Sequence, residues 1–187
     1  GETTPSYVLE KEIDRFFPHE HISEETVEAA LPAFIGEQDQ IAPLFSAKSV
    51  DGVRAYELAR RFHKEGRTLD EAAKELIRVS KINISDLELM EFQHKDSRDG
   101  GVENRAIPGA SGRINVTDNS ALGLPRAVIR MACSKGTYVR AFARDLGEAL
   151  GSGAHLDSLQ RSRSGIFRVE NSLTVDQVIS LLHPQQA

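Results

Sequence analysis

The stretch from residue 126 to residue 151 constrains the fold of this chain more than any other. Arg126–Cys133 is rich in apolar residues and predicts a strand. After a short turn, residues 137–150 carry apolar side chains at helical spacing, and Gly151 is placed to end the helix. The predicted buried stripe of this helix is Val139, Phe142, Ala143, Leu146 and Leu150. A strand that leads directly into an amphipathic helix predicts a sheet with a helix packed on it.

The remaining segments add strands and helices in a mixed order. The first predicted helix has a cap at Ser23, a kink at Pro32 and a stop at Gly36. A second has an apolar stripe from Val53, and a third, over 68–78, opens with a capping box at Thr68. A final helix starts at Thr174. Strand signals fall at 81–92, 113–118, 154–160 and 166–169, and residues 94–112 predict an exposed loop. Because strands and helices do not alternate strictly, we expect an α+β fold with a mixed, largely antiparallel sheet and flanking helices.

Composition excludes several classes of protein. The 187 residues are 40% hydrophobic and 27% charged, which is compatible with a folded core. Cys133 is the one cysteine, so no disulfide framework or cysteine-based zinc site can be built from this chain. No signal pattern opens the sequence, and no run approaches the roughly 18 apolar residues of a membrane span. We therefore expect a cytoplasmic protein that does not enter the membrane.

The charge of the chain is unevenly distributed. The net charge is −5 overall, yet residues 126–168 contain eight Lys or Arg against three Asp or Glu, a local charge of +5. The rest of the chain therefore carries −10. Such asymmetry is typical of a basic face on an acidic body, the arrangement that binds nucleic acid, although a normally mixed surface is the alternative.

The turn between the predicted strand and helix is cationic. In CSKGTYVRAF, Lys135 and Arg140 flank the helix start, where unsatisfied N–H groups and the helix dipole favour an anion. Gly136 would allow a ligand to come close to the backbone. Tyr138 and Arg140 are two positions apart, so they face one site only if the first turn is still extended. The alternative is an ordinary helix start with solvated cations.

Two other stretches combine positive charge with features that suit RNA. SAKSVDGVRAYELARR places Lys48 on an extended arm ahead of a helix with several arginines, which can grip a nucleic-acid backbone or form an amphipathic surface helix. GAHLDSLQRSRSG sets Leu159 beside Arg161, which suits a base held against an apolar wall. The alternative is a strand with a basic edge.

The six histidines show no metal-binding spacing, and no metal is expected. His155 is predicted to be a turn or core residue, and Cys133 a buried residue at the end of its strand.

Three segments together resemble one family. QIAPLFSAKSVDGVRAYELAR, CSKGTYVRAFARDLGEALGSGAHLDSLQRSRSG and the closing SLTVDQVI are similar to the bacterial TruB family, the tRNA pseudouridine-55 synthases. The resemblance is strong over residues 40–61 and 130–182, weaker over 1–36, and lapses over about 62–125. It implies a partial pseudouridine synthase fold.

The resemblance implies an isomerase without metal or cofactor. Its substrate would be a uridine in the tRNA T-loop, flipped from its stack and attacked by an aspartate nucleophile. Carried over by position, Tyr138 would line the uracil pocket, Arg140 would pair with the catalytic aspartate, and Leu159 would pack against the base. The remaining substrate contacts, to RNA, would come from Lys48, Lys135 and Arg161.

The chain departs from the family pattern at the nucleophile. The family's aspartate lies in a motif like GTLDPxATG, and a second pocket tyrosine lies in a K-x-Y strand; both belong upstream of the segments matched here. Gly66-Arg67-Thr68-Leu69-Asp70 resembles the motif but follows the SAKSVDG arm and fits a capped helix start, so Asp70 is not the expected nucleophile. Val8 stands where the family usually has an aspartate.

These departures lead to an expectation about the chain by itself. Residues 1–187 would be the C-terminal portion of one pseudouridine synthase catalytic domain, with no PUA module, and inactive alone. Two alternatives stay open: a non-catalytic RNA-binding module, and a partner-dependent fragment that self-associates through strand edges exposed by truncation.

Overall fold

The computed structural model describes residues 1–9, 12–46, 49–50, 53–65, 76–77, 79–95 and 122–182. The chain forms two compact units, Gly1–Asp157 and Ser158–Ala187. Several sequence-based expectations lie outside the described residues, namely Lys48, Asp70, the strand at 113–118, residues 68–75 of a predicted helix and most of the loop at 94–112.

The first unit is α+β, as predicted. Its elements in chain order are β1 (Glu2–Thr3), β2 (Arg15–Phe16), α1 (Glu24–Ala30), a 3₁₀ helix (Leu31–Phe34), β3 (Gly36–Gln40), β4 (Ser49–Val50), β5 (Val53–Arg54), α2 (Ala55–Lys64), β6 (Ser80–Gln93), β7 (Arg126–Cys133) and α3 (Val139–Ala149).

The main sheet of this unit is antiparallel. Its order is β3–β6–β7, and β6 pairs with both neighbours. Gln40 at the end of β3 lies opposite Ser80, and Cys133 at the end of β7 lies opposite Ile84. The pairs β1–β2 and β4–β5 are short and also antiparallel. The largely antiparallel sheet expected from the sequence is confirmed.

Local signals in the sequence explain where α1 begins and stops. The Ser23 hydroxyl accepts from the Thr26 N–H, and the Ser23 N–H donates back to the Thr26 hydroxyl, which forms a capping box. Pro32 lies in the first turn of the 3₁₀ helix that follows. Because proline has no backbone N–H to donate, it cannot continue the hydrogen bonds of α1. Gly36 then takes a φ of 106°, which favours glycine, and the chain enters β3.

The strand–turn–helix prediction is confirmed, with a shift at the helix start. β7 has the predicted bounds, and Gly151 follows α3 with a φ of 64°. The helix begins at Val139 instead of residue 137, because Tyr138 keeps an extended backbone with φ −94° and ψ 104°. The condition under which Tyr138 and Arg140 can face one site is therefore met.

Buried apolar side chains among the described residues of this unit form two core clusters. The first is Ala42, Leu44, Ala55, Ala59, Phe62 and Ile77, with Tyr138 packed against it. The second is Leu31, Ile82, Ile84, Phe142 and Leu146. Phe34 meets Phe142 edge to face, with ring centroids 5.4 Å apart. The start of α3 thus contributes to both clusters, with Tyr138 packed on the first and Phe142 a member of the second.

Three details of the sequence interpretation are wrong. The strand expected over 154–160 is reduced to one parallel bridge between Leu156 and Val8. Cys133 ends its strand as predicted but is exposed, since it is the last residue of β7. Helix α2 begins at Ala55 because Val53 pairs back onto Val50 in the β4–β5 hairpin.

The second unit contains the basic and apolar residues that follow Asp157. Its elements are β8 (Arg163–Ser164), β9 (Phe167–Arg168), a 3₁₀ helix (Val169–Asn171) and α4 (Val175–Leu182). Gly165 takes a φ of 59° in the turn between the strands. Thr174 and Gln177 exchange backbone-to-side-chain hydrogen bonds, which caps α4 where the sequence predicted its start.

Candidate active site

The turn between β7 and α3 is fixed at its base and exposed at its tip. Ser134 extends the strand pairing, because its N–H donates to the Asn83 carbonyl at 2.8 Å and its hydroxyl accepts from the Asn83 N–H at 2.9 Å. Gly136 takes a φ of 86°, with nothing within 4 Å of a Cβ placed there. Glycine is therefore required at this position for the backbone conformation and not for space. Lys135 is exposed beside it.

Tyr138 is held from outside its own helix. The side-chain oxygen of Gln40 accepts from the Tyr138 N–H at 2.8 Å, and the side-chain nitrogen of Gln40 donates to the Tyr138 carbonyl at 3.2 Å. The Tyr138 side chain packs on the first core cluster, which includes Ala42 and Leu44. The residue is thus held by the last residue of β3 and by the first core cluster.

Arg140 is anchored by backbone carbonyls. Its guanidinium donates to the Phe45 carbonyl at 2.9 Å and to the Ser6 carbonyl at 3.2 Å. Two backbone oxygens from distant parts of the chain therefore fix the direction of this side chain. A guanidinium is a planar group with five N–H donors whose geometry matches a carboxylate.

Arg144, one turn further along α3, is a residue that the sequence analysis missed. It is buried and donates to the Ile41 carbonyl at 3.0 Å and to the Asp145 carboxylate at 2.7 Å. Its guanidinium also lies 5.8 Å from the centroid of the Tyr7 ring. The i, i+4 spacing from Arg140 was visible in the sequence, but nothing local indicated that both arginines would bond carbonyls of residues 41–45.

The segment 4–8 forms the other wall of this region. Tyr7 has a φ of 57° and is buried, and its N–H donates to the Thr4 carbonyl at 3.0 Å. The Thr4 hydroxyl donates to the Val8 carbonyl at 2.8 Å, and the Leu156 N–H donates to the Tyr7 carbonyl at 2.9 Å. Left-handed backbone at a bulky residue is uncommon, and these hydrogen bonds hold it.

A buried ionisable pair supports this wall. Nδ1 of His155 lies 3.7 Å from the Glu2 carboxylate, and both side chains are nearly excluded from solvent. Burial lowers the pKa of His155 below its ordinary value, and the nearby Glu2 carboxylate offsets part of that effect. The expectation that His155 is a core or turn residue is confirmed.

The predicted site residues within the described part of the chain fall in both units. Tyr138 packs on the first core cluster, Arg140 bonds the Phe45 carbonyl, and Lys135 lies in the exposed turn ahead of them. Leu159 and Arg161 belong to the second unit. Within the part of the chain that the structure describes, no three His, Cys, Asp or Glu residues form a group that could hold a metal ion. None of the described helices has the length and apolar character needed to cross a membrane.

The first unit is α+β, and Tyr138 and Arg140 stand at the start of α3, next to the turn that carries Lys135. Comparison with models of known protein families identifies the class to which the chain belongs. The model of the TruB family pseudouridylate synthase N-terminal domain matches residues 1–102, and that of the tRNA pseudouridylate synthase B C-terminal domain matches residues 140–186. The chain belongs to the TruB family.

Curated relatives carry a more specific name. The chain is 44% identical over 186 residues to the tRNA pseudouridine synthase B of Phocaeicola vulgatus, which covers 100% of this chain and 62% of that protein. It is 41% identical over 182 residues to the protein of that name from Parabacteroides distasonis, covering 97% and 60%. For the Thermus thermophilus protein of that name the identity is 35%, covering 100% and 56%. The chain thus spans about three fifths of the relatives it matches.

Proposed function

We propose that the chain forms part of a tRNA pseudouridine synthase, an isomerase that converts uridine 55 of the T-loop to pseudouridine. Membership of the TruB family and the names of the curated relatives support the reaction class and the substrate. The target position rests on the resemblance of the 40–61 and 130–182 segments to the pseudouridine-55 synthases.

One observation carries this proposal at the level of the site. Tyr138 packs on the first core cluster, which includes Ala42 and Leu44, and Arg140 is held through the carbonyl of Phe45. An aromatic ring can stack on an extruded base, and a guanidinium beside it can aim a carboxylate at the base's ribose. In this proposal Tyr138 lines the uracil pocket and Arg140 keeps the nucleophilic aspartate ionised.

The remaining predicted residues take roles in binding. Leu159 packs against the flipped base. The RNA backbone would be contacted by cations, namely Lys48, Lys135 and Arg161. Phosphate contacts of this kind make binding sensitive to salt.

We further propose that these 187 residues are inactive by themselves, because they contain no good match to the family's GTLDPxATG motif. The test incubates the chain with a tRNA transcript and measures pseudouridine at position 55 by mass spectrometry of nuclease fragments. No product is expected from the chain alone. Product is expected from a longer protein that supplies the motif ahead of Gly1.

Two variants of that longer protein test the site. Arg140→Lys keeps the charge but cannot reach two carbonyls and a carboxylate together, so turnover should fall about a hundredfold or more. Arg130→Lys is the matched control, since Arg130 is an exposed residue of β7 beside Asp86 and Glu88, and it should retain turnover. Equal activity of the two variants would contradict the role of Arg140.

Other outcomes point elsewhere. Robust turnover by the 187-residue chain that survives Asp70→Asn would refute its inactivity. Salt-sensitive binding of T-loop RNA without product from either protein would favour the non-catalytic RNA-binding module.

A further inference from the structure

The end of strand β3 supplies a side chain that the proposed catalytic roles do not include. Gln40 is the last residue of β3 and is 4% exposed. Its amide makes two hydrogen bonds to one residue, accepting from the Tyr138 N–H and donating to the Tyr138 carbonyl. A primary amide matches the donor and acceptor of a backbone unit, much as a neighbouring strand would.

Tyr138 needs this support because it cannot cap its own helix. It occupies the N-cap position of α3, where serine, threonine, aspartate or asparagine normally bond the exposed N–H groups, and its side chain makes no capping bond. The Tyr138 carbonyl also accepts from the N–H groups of Ala141 and Phe142, at 3.0 and 3.1 Å. Gln40 therefore fixes the peptide groups on both sides of the Tyr138 Cα while the helix bonds begin at its carbonyl.

The conformation fixed in this way decides where two side chains point. On a regular helix, residues two apart diverge by about 200°, so a helical Tyr138 would turn away from Arg140. With φ −94° and ψ 104°, Tyr138 instead packs on the first core cluster, which includes Ala42 and Leu44, and Arg140 bonds the carbonyl of Phe45, the residue after Leu44.

We propose that Gln40 is a positioning residue for base recognition, holding Tyr138 extended so that its ring and Arg140 serve one pocket. The inference rests on the proposed function, since it takes Tyr138 as a wall of the uracil pocket. Gln40 itself touches neither base nor ribose in this scheme.

The first experiment measures the contact directly in the 187-residue chain. Amide hydrogen exchange is followed by NMR in wild type, Gln40→Leu and Gln38→Leu. Gln38 is the matched control, because it lies on the same strand and its side chain bonds the Phe34 carbonyl instead of Tyr138. Protection of the Tyr138 amide should fall about fivefold or more in Gln40→Leu and stay unchanged in Gln38→Leu. Unchanged protection in both variants would overturn the proposal.

A second variant guards against general loss of fold. Gln40→Glu keeps the acceptor for the Tyr138 N–H but, when ionised, places a carboxylate against the Tyr138 carbonyl. The protonated carboxyl can donate to that carbonyl. After correction for intrinsic exchange rates, protection in Gln40→Glu should recover as the pH is lowered and be weakest at alkaline pH. A pH-independent profile equal to wild type would show that the donor half of the contact is unimportant.

The functional readout separates base recognition from stability. Affinity is measured for a T-loop hairpin with uridine at the target position and for the same hairpin with an abasic site there. Wild type and Gln38→Leu should prefer the uridine hairpin by about tenfold, the size of a base–aromatic stack. Gln40→Leu should lose that preference while its affinity for the abasic hairpin is retained.

The outcomes are distinguishable. If Gln40→Leu loses exchange protection at the Tyr138 amide but still prefers the uridine hairpin over the abasic one, the positioning role is wrong and the proposed function still stands. A wild-type chain that binds both hairpins equally overturns base recognition by this site, and with it the positioning role.

Discussion

At the scale of single residues, the site region is held by side chains that bond backbone carbonyls. Arg140 and Arg144 both reach carbonyls of residues 41–45, and Gln40 reaches the carbonyl of Tyr138. Backbone oxygens cannot change rotamer or titrate. The fold of the backbone, and not the surrounding solvent, therefore determines where these side chains lie. This arrangement suits a site whose aromatic and cationic groups must be placed in advance.

Arg144→Met should destabilise the first unit. The substitution keeps an apolar stem but leaves the half-buried Ile41 carbonyl without its guanidinium donor, and we expect a loss of about 2 kcal/mol in the free energy of unfolding. Urea denaturation measures it. Arg130→Met on the exposed face of β7 is the control and should stay within about 0.5 kcal/mol of wild type.

Because of His155, the free energy of unfolding should depend on pH below neutrality. Because burial lowers its folded pKa, the unfolded chain takes up a proton at a higher pH than the folded chain does. Stability is therefore retained above the ordinary histidine pKa and falls as the pH drops below it. His155→Gln should lose less stability than wild type between neutral pH and mild acid. Denaturation curves that fall in parallel for the two proteins would contradict this.

At the scale of elements, α3 is bound on several sides. Its start meets Gln40, its middle packs Phe142 and Leu146 into the second core cluster, and its end passes close to residues 153–154. Gly147 allows that last approach, since a Cβ there would lie 2.5 Å from the Ala154 nitrogen.

Gly147→Ala should therefore destabilise the protein even though alanine is the better helix former. The expected cost of overpacking is about 1–3 kcal/mol, which exceeds the gain in helix propensity of about 1 kcal/mol or less. Thermal denaturation followed by circular dichroism measures the change. Glu148→Ala, on the exposed face of the same turn, is the control; a stabilised Gly147→Ala protein would show that residues 153–154 yield easily.

At the scale of the whole molecule, β3 and β7 are the outer strands of the main sheet among the described residues, since each pairs there with β6 alone. We predict that the 187-residue chain self-associates through such an edge. Sedimentation velocity between micromolar and near-millimolar concentrations should show a rising sedimentation coefficient. A lysine introduced on the edge, Gln38→Lys, should reduce association, and a concentration-independent monomer would refute it.

The parts of this fold that could be predicted from sequence are those that local periodicity encodes. The bounds of β7, the burial of Phe142 and Leu146 on α3 and the cap at Ser23 follow from residues within a few positions of each other, whereas Val139, Ala143 and Leu150 of the predicted stripe are only half-buried. The extended Tyr138 and the burial of Arg144 could not be predicted, because the groups that enforce them lie about a hundred positions away. The family resemblance proposed Tyr138 and Arg140 as site residues, yet it did not predict the contacts with Gln40 and Phe45 that hold them.

The contact between Gln40 and Tyr138 also bears on the order in which the protein assembles. The two residues are 98 positions apart, so the start of α3 can be completed only after a long loop has closed. The helical turns after Tyr138 need only their own hydrogen bonds and neighbouring apolar contacts. In refolding followed by pulsed exchange, the Tyr138 amide should thus gain protection later than the amides in the middle of α3, which would make the site the last part of this helix to form.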